Sequence, residues 1–249
     1  MPHTERARLA RPSRSRQGSA SFAGSCPHLS LTPRRMPCSC AQMNEIAARL
    51  VAVATREWES FRRTTRRIDD SWHLGANLDE PPFTQRIGDY WDAVGRPTWD
   101  GLTPEPWSAA FISWCFTEAG AGDAFWGDET HSVYVDRIRR HDGMSERLTL
   151  HDPALIAPRV GDLIWNSRGE NDPPASYANA LAQLDAGRFF DSHVDVVVAV
   201  EGGVCSSIGG NVWFQKVGGS VTRSDWRLDG EGRLADDRKV WIGVIRNEL

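Results

Sequence analysis

The chain has 249 residues, a formal net charge of −4 and a hydrophobic content of 40%, with 11 tryptophans. This length can hold one large domain or two small ones, and the aromatic content is enough to fill a packed core. No stretch approaches the roughly 20 consecutive apolar residues of a membrane-spanning helix, which predicts a soluble protein without a membrane span.

The charge is divided unevenly along the chain. Residues 1–42 contain seven arginines and a single acid, Glu5, so the rest of the chain is more acidic than the total of −4. An acidic body lacks the basic surface with which proteins bind nucleic acids, and we expect no nucleic-acid partner.

Residues 1–43 are rich in Arg, Ser and Pro and show no hydrophobic periodicity, which predicts a disordered basic extension. The extension lacks the continuous apolar stretch of a secretory signal peptide. This predicts a protein that is cytoplasmic or exported by a non-classical route. Met43 is an alternative first residue.

Cysteine and histidine spacings indicate neither a disulfide framework nor a metal site. Only Cys115 and Cys205 lie outside the basic extension, and we expect both to be packing residues. His131, His141 and His151 are evenly spaced but have no neighbouring residues that would complete a ligand set. We therefore expect no metal and no cofactor.

The first part of the body carries helical patterns. Apolar residues recur at three- and four-residue spacing over 44–63, which predicts an amphipathic helix with Asn44 as its cap. Residues 69–85 are expected to form a loop because they contain glycine and paired prolines. A short helix around Tyr90 and another over 132–140 are also predicted.

The most apolar segment of the chain is residues 106–120. Prolines lie at its start and Gly120 lies at its end, as is typical of helix termini. Because nearly every position between them is apolar, the predicted helix is expected to be buried on all sides. Its first turn contains Ser108, which is either a helix cap or a reactive group.

The second half of the chain has the alternation of β-strands. Strands are predicted over 160–165, 193–200, 204–208, 220–226 and 240–245. A polar insertion over 166–190 contains a predicted helix, 177–184. Helices followed by strands predict one α+β domain over 44–249, with N-terminal helices packed on a mostly antiparallel sheet.

Three polar residues of this half are candidate partners for Ser108. His193 and Asp195 share one face of a predicted strand, so that His193 could act as a base and Asp195 could orient its ring. Asn211, which follows two glycines, is the other candidate for orienting the imidazole. Each residue also has a structural alternative: Ser108 as a helix cap, His193 as a hydrogen-bonded structural histidine, and Asn211 as a turn residue.

The order of these elements resembles the papain-like peptidoglycan amidases of the CHAP and NlpC-type families. A serine occupies position 108, where those families carry the nucleophilic cysteine. The pattern is still closer to the family called domain of unknown function 2272, over about residues 45–247. The matching segments are Trp107-Ser108-Ala109-Ala110-Phe111-Ile112-Ser113-Trp114, Gly161-Asp162-Leu163, Ser192-His193-Val194-Asp195 and Ile208-Gly209-Gly210-Asn211.

The resemblance implies a papain-like fold in which a helix N-terminus presents Ser108 to His193, with Asn211 or Asp195 orienting the imidazole. In a hydrolase of this kind, His193 takes the proton of the serine hydroxyl, whose oxygen attacks a peptide or amide bond. Peptide or peptidoglycan fragments are the implied partners. Two alternatives stay open: a non-catalytic module that binds such fragments in the same groove, and a toxin or effector domain.

Overall fold

The computed structural model describes residues 44–75, 80–170, 172–214 and 217–249. The predicted disordered extension, residues 1–43, lies outside these ranges.

The described residues contain five α-helices: α1 (Glu45–Ser60), α2 (Pro81–Asp92), α3 (Ser108–Glu118), α4 (His131–Arg140) and α5 (Tyr177–Asp185). The predicted helices are all present, but α2 is longer than expected. It begins with the paired prolines at Pro81, because proline is tolerated in the first turn of a helix. The loop prediction was therefore wrong over the last residues of 69–85. None of the described helices is both long and apolar enough to cross a membrane.

Eight strands within the described ranges form one sheet. They are β1 (Thr65–Arg66), β2 (Trp72–His73), β3 (Leu148–His151), β4 (Leu163–Ser167), β5 (Ser192–Glu201), β6 (Val204–Phe214), β7 (Val217–Arg227) and β8 (Trp241–Asn247). Their order is β2-β1-β7-β6-β5-β4-β8-β3, and every neighbouring pair is antiparallel except β1 with β7. The mostly antiparallel α+β arrangement is confirmed. The sequence patterns missed β1, β2 and β3, which are only two to four residues long.

The sheet separates two clusters of apolar side chains. Val194 and Val196 of β5 belong to the main core beneath the helices, as their shared strand face predicts. On the opposite face, Val197 and Trp226 belong to a smaller cluster. The sheet is thus buried on both faces near its centre, and polar side chains there need partners within the protein.

Helix α3 lies at the centre of the main core. It packs against β5 and β6 and against α1 and α2. Ala110, Phe111 and Ile112 are completely buried. A helix that is apolar on all sides is therefore fixed by contacts in every direction, and its first residue is held firmly relative to the sheet.

A buried carboxylate joins α1 to α2. Glu57 is 2% exposed, and both of its oxygens accept hydrogen bonds from the Arg86 guanidinium at 2.8 Å. The Tyr90 hydroxyl donates a third bond to Glu57 at 2.7 Å. Arg86 also stacks on Trp114 of α3, with its guanidinium carbon 4.3 Å from the ring centroid. These contacts tie three helices together through one ion pair.

We predict that Glu57→Ala lowers the free energy of unfolding by about 3 kcal/mol, because it leaves the Arg86 charge and the Tyr90 hydroxyl without their partner. The matched control is Glu59→Ala, which breaks the exposed ion pair with Arg63 and should cost less than about 1 kcal/mol. Urea unfolding of both variants measures the difference. Equal losses would contradict the role given to Glu57.

Candidate active site

Ser108 lies at the first position of α3 and lines a cavity of ≈ 800 Å³. The cavity walls come from the segment before α3, the start of α4 and the ends of several strands. The cap position itself belongs to Trp107, and α3 has no side-chain cap bond. Ser108 is therefore not the helix cap that its structural alternative would make it.

The Ser108 hydroxyl is hydrogen-bonded to a histidine, and that histidine is His131. Ser108 Oγ lies 2.7 Å from His131 Nε2, and both side chains are buried. On the other side of the ring, His131 Nδ1 lies 2.5 Å from the Tyr134 hydroxyl. His131 and Tyr134 are three residues apart on α4 and therefore share one face of that helix. A serine, a histidine and a tyrosine thus form a continuous hydrogen-bonded chain.

The positions of the protons in these hydrogen bonds decide whether His131 can act as a base toward Ser108. When Tyr134 accepts from the Nδ1–H of His131, Nε2 carries a lone pair and can accept the serine proton. When Tyr134 donates instead, Nε2–H donates to Ser108, and the histidine cannot act as a base toward it. Burial raises the pKa of Tyr134 well above its ordinary value, so the tyrosine is a neutral hydroxyl that permits both arrangements.

His131 is neutral at physiological pH. Burial holds its pKa well below the ordinary value of 6.5, and positive charge on the neighbouring His193, if protonated, and on Arg168 acts in the same direction. A neutral imidazole is the form that a general base requires.

The segment that leads into His131 is fixed to the middle of α3. Ser113 Oγ lies 2.9 Å from the Ala109 carbonyl and 3.0 Å from the Asp128 carbonyl, and it accepts the Asp128 N–H at 3.1 Å. A Cβ on Gly127 would lie 2.6 Å from the Ser113 Cβ, so this close approach requires glycine. The helix that carries Ser108 therefore also positions the segment that presents His131.

A second pair of bonds holds the start of α4 against the chain that enters β5. The Ser132 hydroxyl donates to the Phe190 carbonyl at 3.0 Å and accepts the Phe190 N–H at 3.1 Å. His131 therefore lies between two hydrogen-bonded attachments, one to α3 and one to the sheet.

His193 occupies a different place from the one that the sequence predicted. Its ring lies beside that of His131, with centroids 5.5 Å apart and planes at 70°. Its Nε2 lies 2.8 Å from Asp195 Oδ1, although the angle is not that of a normal hydrogen bond. The expectation that His193 contacts Ser108 is corrected to His131, because His131, the first residue of α4, makes the hydrogen bond with the Ser108 hydroxyl.

Asp195 is buried on the sheet with partners of its own. Its Oδ2 accepts from the Ser207 hydroxyl at 2.9 Å, and Ser207 accepts from the Trp226 indole at 2.8 Å. Burial would raise the pKa of Asp195, yet His193 and the Ser207 hydroxyl outweigh it and lower the pKa. Burial lowers the pKa of His193 against the opposing charge of Asp195. The structure thus brings the predicted His193–Asp195 pair together, with the His193 ring next to that of His131.

Asn211 lines the cavity without a bond to either histidine among the contacts of the described residues. Its side-chain oxygen accepts from the Trp213 indole at 2.8 Å. Its backbone is left-handed, with φ of 54°, at an irregularity in the pairing of β6 with β7. Its left-handed backbone agrees with the alternative that Asn211 is a turn residue. Its contacts do not support a role in orienting an imidazole.

The two glycines before Asn211 allow close packing on both faces of β6. A Cβ on Gly209 would lie 1.8 Å from Asp195 Oδ1, and one on Gly210 would lie 2.6 Å from both the Phe111 Cβ and the Trp107 ring. The Gly-Gly pair thus lets the sheet approach the buried carboxylate on one face and helix α3 on the other.

The remaining candidates lie apart from this chemistry. Cys115 and Cys205 are buried, and burial raises the pKa of the first well above its ordinary value and that of the second to about 12. His141 is the residue that ends α4, and His151 contacts the Thr149 hydroxyl at 2.8 Å. Among the residues that the structure describes, no group of three potential ligands is arranged to hold a metal ion.

Sequence reasoning overlooked His131 and Tyr134 as members of the site. The spacing His-x-x-Tyr at the start of a predicted helix was the available signal, because it places both side chains on one helix face. This spacing does not indicate which residue of α4 lies next to Ser108.

We predict that Gly210→Ala lowers the free energy of unfolding by about 1–3 kcal/mol, because the added methyl group would push α3 away from β6. Gly230→Ala is the control, since no atom lies within 4 Å of a Cβ placed there. Its effect should stay within about 0.5 kcal/mol. Chemical denaturation tests both variants, and an equal effect would contradict the packing argument.

The comparisons with known proteins identify one family. The model of a family described as an uncharacterized protein conserved in bacteria, DUF2272, matches residues 62–247. No curated protein and no solved structure matches the chain. The match extends from the residues that follow α1 through β8, and the chain therefore belongs to the DUF2272 family.

Proposed function

We propose that this protein is a hydrolase of peptide or amide bonds in which Ser108 is the nucleophile and His131 is the general base. The observation that carries the proposal is the 2.7 Å contact between Ser108 Oγ and His131 Nε2 at the wall of a ≈ 800 Å³ cavity. A nucleophile in hydrogen-bond contact with a neutral base, next to space for a substrate, is the minimum arrangement for acyl transfer.

The reaction follows from these two side chains. His131 Nε2 accepts the proton of the Ser108 hydroxyl while Oγ forms a bond to the substrate carbonyl carbon. The protonated imidazole then gives that proton to the leaving amine, and an acyl-serine ester is formed. Water, deprotonated by the same nitrogen, hydrolyses the ester and regenerates both groups.

The N-terminus of α3 supplies donors for the negative oxygen of the intermediate. The Phe111 N–H bonds back to the Trp107 carbonyl at 3.0 Å. The N–H groups of Ser108, Ala109 and Ala110 precede it and have no earlier turn to bond to. They lie at the positive end of the helix dipole, beside the nucleophile that they would serve.

The third member of the hydrogen-bonded series is Tyr134, whereas that of a Ser–His–Asp triad is a carboxylate. Tyr134 is a neutral hydroxyl and cannot offset the positive charge that His131 acquires during the reaction. The nearest carboxylate in this cluster is that of Asp195, which lies beyond the His193 ring. We infer slower acylation than in a triad, and an advantage for substrates with good leaving groups.

The resemblance to the CHAP and NlpC-type amidases supports peptidoglycan peptides as the substrate and a papain-like identity for the fold. In those families, as in this chain, the helix with the nucleophile position packs on an antiparallel sheet, and a His-headed strand follows it. The histidine of that strand is His193 here, so the analogy supports the fold and the substrate class and not the assignment of the base to His131. This support is by analogy of fold and motif.

The neutral tyrosine also favours a second candidate, a non-catalytic module that binds such fragments in the same cavity. In the proton arrangement in which Tyr134 donates to His131, Ser108 only accepts a hydrogen bond. A serine held in this way can bind a ligand but cannot attack it.

A fluorophosphonate probe, which labels activated serines, separates the two candidates. We expect labelling of the unmodified chain, none of Ser108→Ala, and labelling about 10²–10⁴ times slower in His131→Gln because the base is lost. Absence of labelling in the unmodified chain, together with retained binding of muropeptides, would reject the hydrolase and support the binding module.

His193→Gln is the matched control, since it removes the neighbouring histidine that does not contact Ser108. We expect its labelling rate to stay within about tenfold of the unmodified rate. If His193→Gln lost as much as His131→Gln, the assignment of the base to His131 would fail. Circular dichroism confirms that each variant is folded before labelling rates are compared.

The pH dependence of labelling tests the state of His131. A base with a lowered pKa stays unprotonated as the pH falls, so the rate should hold constant through 6.5 and decline only below it. An acid limb centred at or above 6.5 would contradict the burial of the base.

The stability of the fold should change over the same acidic range. Below about pH 6.5 the unfolded chain binds protons at His131 and His193 that the folded chain does not, so stability falls by up to about 1.4 kcal/mol per pH unit for each histidine. Urea unfolding at each pH shows where the labelling assay is still performed on folded protein.

A further inference from the structure

Arg168 lies directly after β4 and lines the same cavity as Ser108 and His131. Its backbone N–H donates to the Asp191 carbonyl at 3.1 Å, which holds this segment against the entry to β5. The side chain is half-buried. Its positive charge acts on both His131 and His193, and lowers the pKa of each.

The guanidinium has no close carboxylate. Within the described ranges, no acidic oxygen lies within the 4.0 Å of an ion pair with Arg168. Asp191 and Asp195 act on it only from a greater distance, and burial lowers its pKa. The Asp191 carboxylate is packed instead against Gly169, where a Cβ would lie 2.8 Å from Oδ2.

Two other partly buried arginines of the chain have the carboxylate partner that Arg168 lacks. Arg86 contacts Glu57 at 2.8 Å, and Arg238 contacts Asp236 at 2.7 Å. Glu129, which lines the cavity, forms an ion pair with Arg96 at 2.6 Å. Arg137 also has no ion pair in the described part of the chain, but its guanidinium stacks on the Trp126 ring at 3.4 Å and does not line the cavity. Arg168 is therefore a half-buried, cavity-lining arginine without a carboxylate partner among the described residues, an arrangement that favours an anion supplied by a ligand.

We propose that Arg168 binds a carboxylate of the ligand that occupies the cavity, and that the substrate is a peptide or acylated amino acid with a free carboxylate near the bond that Ser108 attacks. The planar fork of a guanidinium fits a carboxylate with two parallel hydrogen bonds. The second half of this statement depends on the proposed hydrolase, whereas binding of the carboxylate does not.

The rest of the cavity limits the charge and shape of the ligand. Glu105 and Asp191 also line it, so a ligand with one negative charge is accepted more readily than a phosphate dianion. Aromatic side chains of Trp99, Phe190 and Trp213 provide the apolar area against which the remainder can pack.

Binding of matched peptides tests the proposal. The probes are N-acetyl-alanyl-alanine and its C-terminal amide, each with L- and with D-alanine at the C-terminal position, titrated calorimetrically into the Ser108→Ala chain so that no turnover occurs. We expect at least one free acid to bind about tenfold more tightly than its amide. Equal affinities of each acid and its amide, or no binding of any of the four peptides, would overturn the proposal.

Variants then assign the preference to one side chain. Arg168→Gln should abolish the difference between acid and amide, and Arg168→Lys should keep part of it because the charge is retained. Arg188→Gln, which removes an exposed arginine that does not line the cavity, should leave the difference unchanged. A preference that survives in Arg168→Gln would also overturn the proposal.

The results separate this inference from the proposed function. Discrimination between acid and amide without fluorophosphonate labelling supports the carboxylate site and rejects the hydrolase. Labelling without discrimination supports the hydrolase and rejects the carboxylate site. If Arg168→Gln does not fold, the comparison of acid with amide in the Arg168 chain and in Arg168→Lys still decides the question.

Discussion

The close approach of helix α3 to strand β6 is the constraint on which the site depends. Because Gly210 has no side chain, Phe111 and Trp107 can lie against the strand backbone. This contact fixes the first turn of α3, and with it the direction of the Ser108 hydroxyl and of the free N–H groups beside it. From the same helix, Ser113 reaches the segment before α4 and so sets the distance between serine and base.

The polar groups behind Ser108 form two layers that meet at a pair of histidine rings. The outer layer is Ser108, His131 and Tyr134, of which Ser108 and His131 line the cavity. The inner layer is His193 with Asp195, supported by the hydroxyl of Ser207 on β6. Burial favours the neutral form of both histidines, and the negative charge of the cluster stays with the inner carboxylate. Positive charge formed on His131 during catalysis would therefore be felt by Asp195 only through space.

Local patterns in the sequence were sufficient for most of the fold. The all-apolar segment 106–120 predicted a buried helix, and the valines of 193–200 predicted both a strand and the face that packs on the helices. Short elements such as β3 were missed because four residues carry too little periodicity. The start of α2 was missed because paired prolines indicate a loop as readily as the first turn of a helix.

The site was predictable only in part, and for a different reason. Ser108 and the His193–Asp195 pair follow from position on a helix and on a strand face, which are local properties. The partner of Ser108 depends on where α4 packs relative to the start of α3, which is a tertiary property that no spacing in the chain encodes. Among several histidines, sequence favoured the one with an adjacent carboxylate, whereas packing brought His131 to the serine.

The proposed base and the hydroxyl bonded to it belong to a single turn of one helix, since His131 and Tyr134 are both on α4. Their mutual geometry is therefore fixed by the backbone of that turn, while their distance from Ser108 depends on where α4 as a whole lies. A displacement of α4 as a rigid body by about the length of one hydrogen bond would break the bond between Ser108 and His131 and leave the bond between His131 and Tyr134 intact. The geometry of the proposed site therefore depends on the docking of one secondary-structure element, which the bonds of Ser132 to Phe190 and of Ser113 to Asp128 hold in place.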